Sequence, residues 1–170
     1  DPVIMSPERY AEFPTALKGI TAADHPVSRR KNTWQDANEM YERFKDRSPF
    51  DSWQPAVLRD YCDYALQRAD EGHTMELACD PLNEASIYLS QRGNEVILSD
   101  VRRLAMPVTL LRAPPGSTAV TDLSNSPTWP GLANTIPDCV EVYLPNMNHF
   151  IPMQDPAMAA RHIAAALASQ

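Results

Sequence analysis

Of the four histidines in the sequence, His149 has the setting best suited to proton transfer. It lies in the run Pro145-Asn-Met-Asn-His149-Phe-Ile-Pro-Met, after the β-rich segment Cys139 to Leu144 and ahead of Asp155-Pro156, which opens a terminal helix. In an open α/β sheet the loops at the carboxyl ends of the strands converge over a crevice, and ligands and reactive groups gather there. An imidazole, with a pKa of about 6.5, takes and returns a proton near neutrality, so a histidine at that edge fits general base and acid work. Position alone suits an ordinary surface-loop histidine equally well. His25, before a proline, and His73, beside Gly72, read as exposed side chains, and His162 lies on the terminal helix, where it caps or flanks the sheet. Cys62, Cys79 and Cys139 are widely spaced and odd in number, with no Cys-x-x-Cys or Cys/His ligand pattern. They read as buried thiols in a reducing compartment, with no metal site and no cofactor implied.

The elements that must hold His149 divide the chain in two. After Met106, a β-rich run over 107 to 112, a helix over Thr128 to Thr135 with Leu132 inward, a strand over 139 to 144 and a final helix give the order β, α, β, loop, α. The final helix carries Ala159, Ile163, Ala166 and Leu167 on one side. That order predicts adjacent parallel strands with a crossover. Before it, the pattern is helical. A short helix falls within Thr15 to Arg30 and breaks at His25-Pro26, and Thr33 to Asp36 resembles a capping box for a helix bearing Ala37, Met40, Tyr41 and Phe44. A second helix follows Pro55 with Val57, Leu58, Tyr61, Cys62 and Ala65, Met75 to Ala78 is extended, and a third helix runs from Pro81 until Gly93 stops it. The fold class is therefore α/β, a partial doubly wound parallel sheet interrupted by a helical segment. Two strands do not make a stable open sheet, so the rest must come from elsewhere. The opening Asp-Pro-Val-Ile reads as the end of a strand.

Composition limits the partners. Of 170 residues, 15 are Lys or Arg and 22 are Asp or Glu, for a net charge of -7, the wrong sign for neutralising a phosphate backbone. Arg29, Arg30 and Lys31 form a short basic run better read as a solvated loop or helix end than as a binding patch. No apolar run reaches the roughly 18 residues that cross a bilayer, so neither nucleic acid nor membrane is expected as partner. No targeting signal is visible, which leaves the cytoplasm as the default compartment. Trp34, Tyr41, Phe44, Phe50, Trp53, Tyr61 and Tyr64 crowd the helical segment. Most are expected to pack helix on helix, and the remainder to line a pocket for an apolar small molecule.

The succession of strand, Pro-Asn-Met-Asn-His-Phe-Ile-Pro-Met, Asp-Pro and terminal helix resembles the carboxyl-terminal end of the α/β-hydrolase superfamily, where such a turn presents the triad histidine. The resemblance spans the chain and is strongest from about residue 105. It implies three parts: 1–14 as a strand end and entry loop, 15–104 as a helical cap, and 105–170 as the carboxyl-terminal part of the hydrolase core. No Gly-x-Ser-x-Gly elbow occurs, so the resemblance places nucleophile and oxyanion hole upstream of Asp1, in a missing N-terminal half that would be the chain's complementary segment. It also implies an acid for His149. Asp122, in the loop after the first strand, is the first candidate, although it lies farther along than the family places its acid. Asp1 is the second, because some branches take the acid from the preceding strand's end. Asp138 falls at the wrong sheet edge and Asp155 is an N-cap.

The activity so implied is hydrolysis of an apolar ester or lactone through an acyl-enzyme, by the complete protein and not by these residues alone. An Asp nucleophile would mean epoxide or carbon-halogen hydrolysis instead, and a non-catalytic ligand-binding relative is the third reading.

Overall fold

The computed structural model describes residues 1–16, 18–69, 72–115 and 124–168, which form two compact units. One comprises Asp1–Ala16 and Arg92–Gln170, and the other, Leu17–Gln91, interrupts it in sequence. Residues 1–6 carry no regular secondary structure, so the strand end expected at Asp1 is absent from them, and helix α1 follows at Pro7–Ala16.

The Leu17–Gln91 unit opens on two 3₁₀ turns, Ala22–Asp24 and Pro26–Arg29, in place of the expected helix within 15 to 30. His25-Pro26 separates them, as the stereochemistry before proline requires. Strand β1 (Thr33–Trp34) precedes helix α2 (Ala37–Phe44). The N-cap lies three residues later than the sequence suggested, and the reciprocal bond of a capping box is not made. Asp36 is the N-cap, accepting from the Glu39 amide at 2.8 Å, while the Glu39 carboxylate accepts from the Gln35 amide at 2.7 Å. Helix α3 (Pro55–Tyr64) starts on proline and buries Leu58 and Cys62, which lie one helical turn apart. Strands β2 (Leu66–Arg68) and β3 (Met75–Leu77) join β1 in an antiparallel sheet of order β1-β3-β2.

This sheet corrects the all-helical reading of the segment. Strands of two and three residues are too short to display an alternating pattern. Helix α4 (Pro81–Ser90) ends the unit close to where the sequence placed its end, and 3₁₀ turns over Gln91–Val96, kinked at Asn94, follow it. The core comprises Trp34, Met40, Leu58, Cys62, Leu77 and Ala85. The aromatics pack on one another: Phe44 stacks on Phe50 at 4.4 Å, and Trp34, Trp53 and Tyr61 close around the pair. Arg30 stands at a helix end, as the C-cap of the turn Pro26–Arg29, and is ion-paired rather than solvated. Its guanidinium donates to Glu84 at 2.6 Å and to the Tyr61 hydroxyl at 3.0 Å.

In the other unit, helix α5 (Ile97–Val101) leads to strands β4 (Val108–Arg112) and β5 (Cys139–Tyr143), which are adjacent and parallel as expected. Their register pairs Val108 with Cys139 and Arg112 with Tyr143. Arg112 grips Glu141 side-on, through Nε at 2.5 Å and Nη2 at 3.3 Å, and lies over the Tyr143 ring, bracing the strand pair. Ile97, Leu98, Val101 and Leu104 pack with Ile4, Leu110, Leu132 and Ile136 in one core. Ile97, Leu98, Val101 and Leu104 thus belong to the core beneath this sheet.

The helix expected over Thr128 to Thr135 contracts to a 3₁₀ turn at Ala133–Thr135. Trp129 donates its amide to the Ile4 carbonyl at 2.8 Å, which ties this stretch to the chain start instead of to a helical ladder. Leu132 is fully buried, as its pattern indicated. After β5 come a short helix α6 (Ile151–Gln154), which periodicity did not reveal, and α7 (Pro156–Ala168). Asp155 caps α7 by accepting from the Met158 amide at 2.8 Å. Ala159 is buried, whereas Ile163 and Leu167 are exposed, contrary to an inward face along the whole helix. Of the cysteines, Cys62 is buried as expected, Cys139 is half-buried and Cys79 is exposed.

Candidate active site

Loops following the two parallel strands build the site. β5 ends at Tyr143, and the Met147 amide donating to Leu144 at 3.1 Å turns the chain. Asn148 then fixes the next turn. Its side-chain Oδ1 accepts from the Phe150 backbone amide at 2.9 Å, and its backbone amide donates to Gln154 Oε1 at 2.8 Å. Ile151, almost wholly buried, anchors α6 directly behind the turn. The result holds His149 at the carboxyl end of β5, where its amide donates to Ser124 in the loop after β4 at 2.7 Å.

Asp1 faces that histidine. Nδ1 of His149 lies 2.9 Å from Oδ2 of Asp1, and because a carboxylate only accepts, Nδ1 carries the proton. Nε2 is then the basic nitrogen. The Asp1 side chain is 2% exposed and that of His149 25%. A carboxylate so buried needs further donors. Ser126 Oγ donates to Oδ1 at 2.6 Å, and Thr128 Oγ1 lies 2.7 Å from the same oxygen and 2.5 Å from the Pro2 carbonyl. Ser126 and Thr128 are themselves buried.

Burial lowers the His149 pKa from its ordinary 6.5, and the positive charge of the Asp1 amino group contributes in the same direction. The neutral imidazole so favoured is able to accept a proton, while the carboxylate stands ready to stabilise the imidazolium that results.

The structure therefore brings Asp1 to His149. Asp122, the first candidate acid, lies outside the described residues. His25 is not a free surface side chain, since its ring stacks on Tyr88 at 5.3 Å and Nδ1 accepts from the Val27 amide. His73 is exposed and His162 half-buried. Among the described residues no cluster of His, Cys, Asp and Glu could hold a metal ion. A cavity of about 300 Å³ in the Leu17–Gln91 unit is walled by Tyr61, Ala65, Leu77, Ala78 and Cys79, with the Arg30–Glu84 pair at its side. Ser126 and Thr128 were not legible in the sequence, because nothing local marks a hydroxyl as the partner of a carboxylate some 125 positions away.

No protein-family model matches the chain, and neither does any curated protein. Among solved structures, the chain is similar to the crystal structure of E-2-(acetamidomethylene)succinate hydrolase, at 17% identity with a TM-score of 0.57 over 92% of this chain. The chain spans about half of that structure, 52% of its length. Together with the β, loop, β, loop, α order and the Leu17–Gln91 insertion, this likeness shows the fold of part of an α/β-hydrolase. Among the described residues no helix is long and apolar enough to cross a membrane.

Proposed function

We propose that the complete protein hydrolyses an apolar ester or lactone through an acyl-enzyme, with His149 as general base and acid, Asp1 as its carboxylate, and nucleophile and oxyanion hole contributed from upstream of Asp1. The observation that carries this reading is the Asp1–His149 pair, 2.9 Å apart at the carboxyl end of parallel strands. In the first half-reaction the nucleophile's hydroxyl proton passes to Nε2 as its oxygen attacks the carbonyl carbon. Asp1 holds the Nδ1 proton in place and balances the imidazolium charge. The proton then goes to the departing alkoxide, leaving the acyl-enzyme. In the second half Nε2 takes a proton from water, hydroxide adds to the acyl carbon, and the returning proton frees the nucleophile and the acid.

The proposal extends to the rest of the fold. Among the described residues β4 pairs only with β5, Ile163 and Leu167 of α7 are exposed, and Leu17–Gln91 stands in sequence where such hydrolases carry a cap. These features support a complementary N-terminal segment as the chain's packing partner. An apolar substrate accords with the aromatic-rich Leu17–Gln91 unit, although its stacked rings already satisfy one another.

The test is labelling of the complete protein by a fluorophosphonate probe. Covalent modification of a serine upstream of Asp1, lost in the His149→Ala variant, is the expected result. A folded protein that is never labelled would refute the serine acyl-enzyme, and turnover of esters unchanged in His149→Ala would refute the role of the imidazole.

A further inference from the structure

The Asp1 carboxylate has one oxygen for the imidazole and another for the protein, and the second oxygen is the informative one. Oδ1 accepts from Ser126 at 2.6 Å. The Ser126 hydroxyl is itself oriented, because its oxygen accepts from the Thr128 amide at 3.3 Å, which leaves its hydrogen directed to Asp1. Thr128 Oγ1 sits between two acceptors, Asp1 at 2.7 Å and the Pro2 carbonyl at 2.5 Å, and its single proton serves one at a time. Both residues are buried, at 8% and 2% exposure, so water does not replace them. The loop after β4 thus clamps the chain start through Ser126-Pro127-Thr128, and the same loop accepts the His149 amide through the Ser124 carbonyl.

We propose that Ser126, seconded by Thr128, is the positioning residue for the proton-transfer pair. It fixes the rotation of the Asp1 carboxylate so that Oδ2 is held on Nδ1 of His149 and the imidazole is kept in the Nδ1–H tautomer. The consequence for the reaction rests on the hydrolase reading above, while the effect on the tautomer does not. A freely rotating carboxylate meets Nδ1 only part of the time, and each departure allows the proton to move to Nε2, the nitrogen that must accept. Ser126 touches no reacting atom in this scheme and works only through Asp1.

Two readouts on the complete protein separate the possibilities. In ¹⁵N spectra of histidine-labelled protein, assigned by the signal missing from His149→Ala, the wild type should show the Nδ1–H form and Ser126→Ala a mixture of both tautomers. In turnover, Ser126→Ala should lower kcat about tenfold with KM unchanged, as expected for loss of one hydrogen bond to a charged group. Thr128→Val should do less, since its hydroxyl is shared with Pro2, and Thr128→Ser should restore wild-type behaviour. A folded Ser126→Ala protein with unchanged tautomer overturns the proposal, even if kcat falls, because a merely structural role would leave the ring proton where it was. Full turnover in His149→Ala would refute the hydrolase reading while a shifted tautomer in Ser126→Ala still upheld the positioning role.

Discussion

Replacing Asp1 by Asn tests the pair at its most sensitive point, because the exchange keeps the shape and inverts one hydrogen bond. The Asp1 side chain is 2% exposed, with Oδ1 facing two hydroxyls and Oδ2 facing Nδ1 of His149. The asparagine oxygen can take the hydroxyl side, where Ser126 donates. Its amide nitrogen then faces Nδ1 and donates, so the ring proton is driven to Nε2. In that tautomer the nitrogen that should receive the nucleophile's proton already carries one, and the imidazolium loses its counter-charge. Comparable exchanges in serine triads cost about 10⁴ in kcat, which is about 5.5 kcal/mol of transition-state stabilisation. The assay is steady-state ester hydrolysis by the complete Asp1→Asn protein, with the His149 tautomer read by ¹⁵N NMR. The expected outcome is a loss near that size with KM little changed and the Nε2–H form dominant. A kcat within tenfold of wild type in a folded variant would refute the reasoning and reopen the choice of acid.

Four further outcomes follow from the same structure. The His149 pKa is lowered by burial, so kcat/KM should hold through neutral pH and fall only below the ordinary 6.5, as Nε2 becomes protonated. The linked effect on folding has the same direction: the unfolded chain binds that proton more readily, so stability present above 6.5 is lost as pH drops through the folded pKa, which urea titrations at several pH values would show. Gly131→Ala should destabilise by about 1–3 kcal/mol in denaturant melts, because a Cβ there would lie 2.5 Å from the Trp129 ring, which is packed into the core. Among the cysteines, Cys79 should react first with a thiol reagent; Cys62 is buried with its pKa pushed up to about 11, and modification of Cys62 before Cys79 would contradict the burial described.

Much of the fold was legible because it is written in local patterns. Proline at the first turn and apolar residues a turn apart announced α3, and the β-rich runs announced β4 and β5 in their parallel order. The parts that were not legible depend on distant partners. Thr33–Trp34 is a strand only because Met75–Glu76 lies beside it, and two residues have no periodicity of their own. Thr128 to Thr135 reads as a helix until the Ile4 carbonyl takes the Trp129 amide. Ile163 and Leu167 follow a helical spacing that says which side of α7 is apolar but not whether anything covers it.

The candidate site divides along the same line. His149 announced itself through its neighbours in sequence: a strand before it, a turn-forming Asn148 and a capped helix after it all act within a few residues. Its carboxylate did not, because the distance from Asp1 to His149 in sequence carries no information about distance in space. What joins them is the parallel pairing of β4 with β5, which brings the loops after both strands to one edge, together with the anchoring of residues 1–4 on that edge through Ile4 and Trp129. Once the chain start is held there, Asp1 arrives buried, and a buried carboxylate without donors would be costly enough to exclude the arrangement. Ser126 and Thr128 remove that cost. The two hydroxyls that no pattern in the sequence singled out are therefore what permits Asp1, the second of the two candidate acids, to stand beside His149 at all.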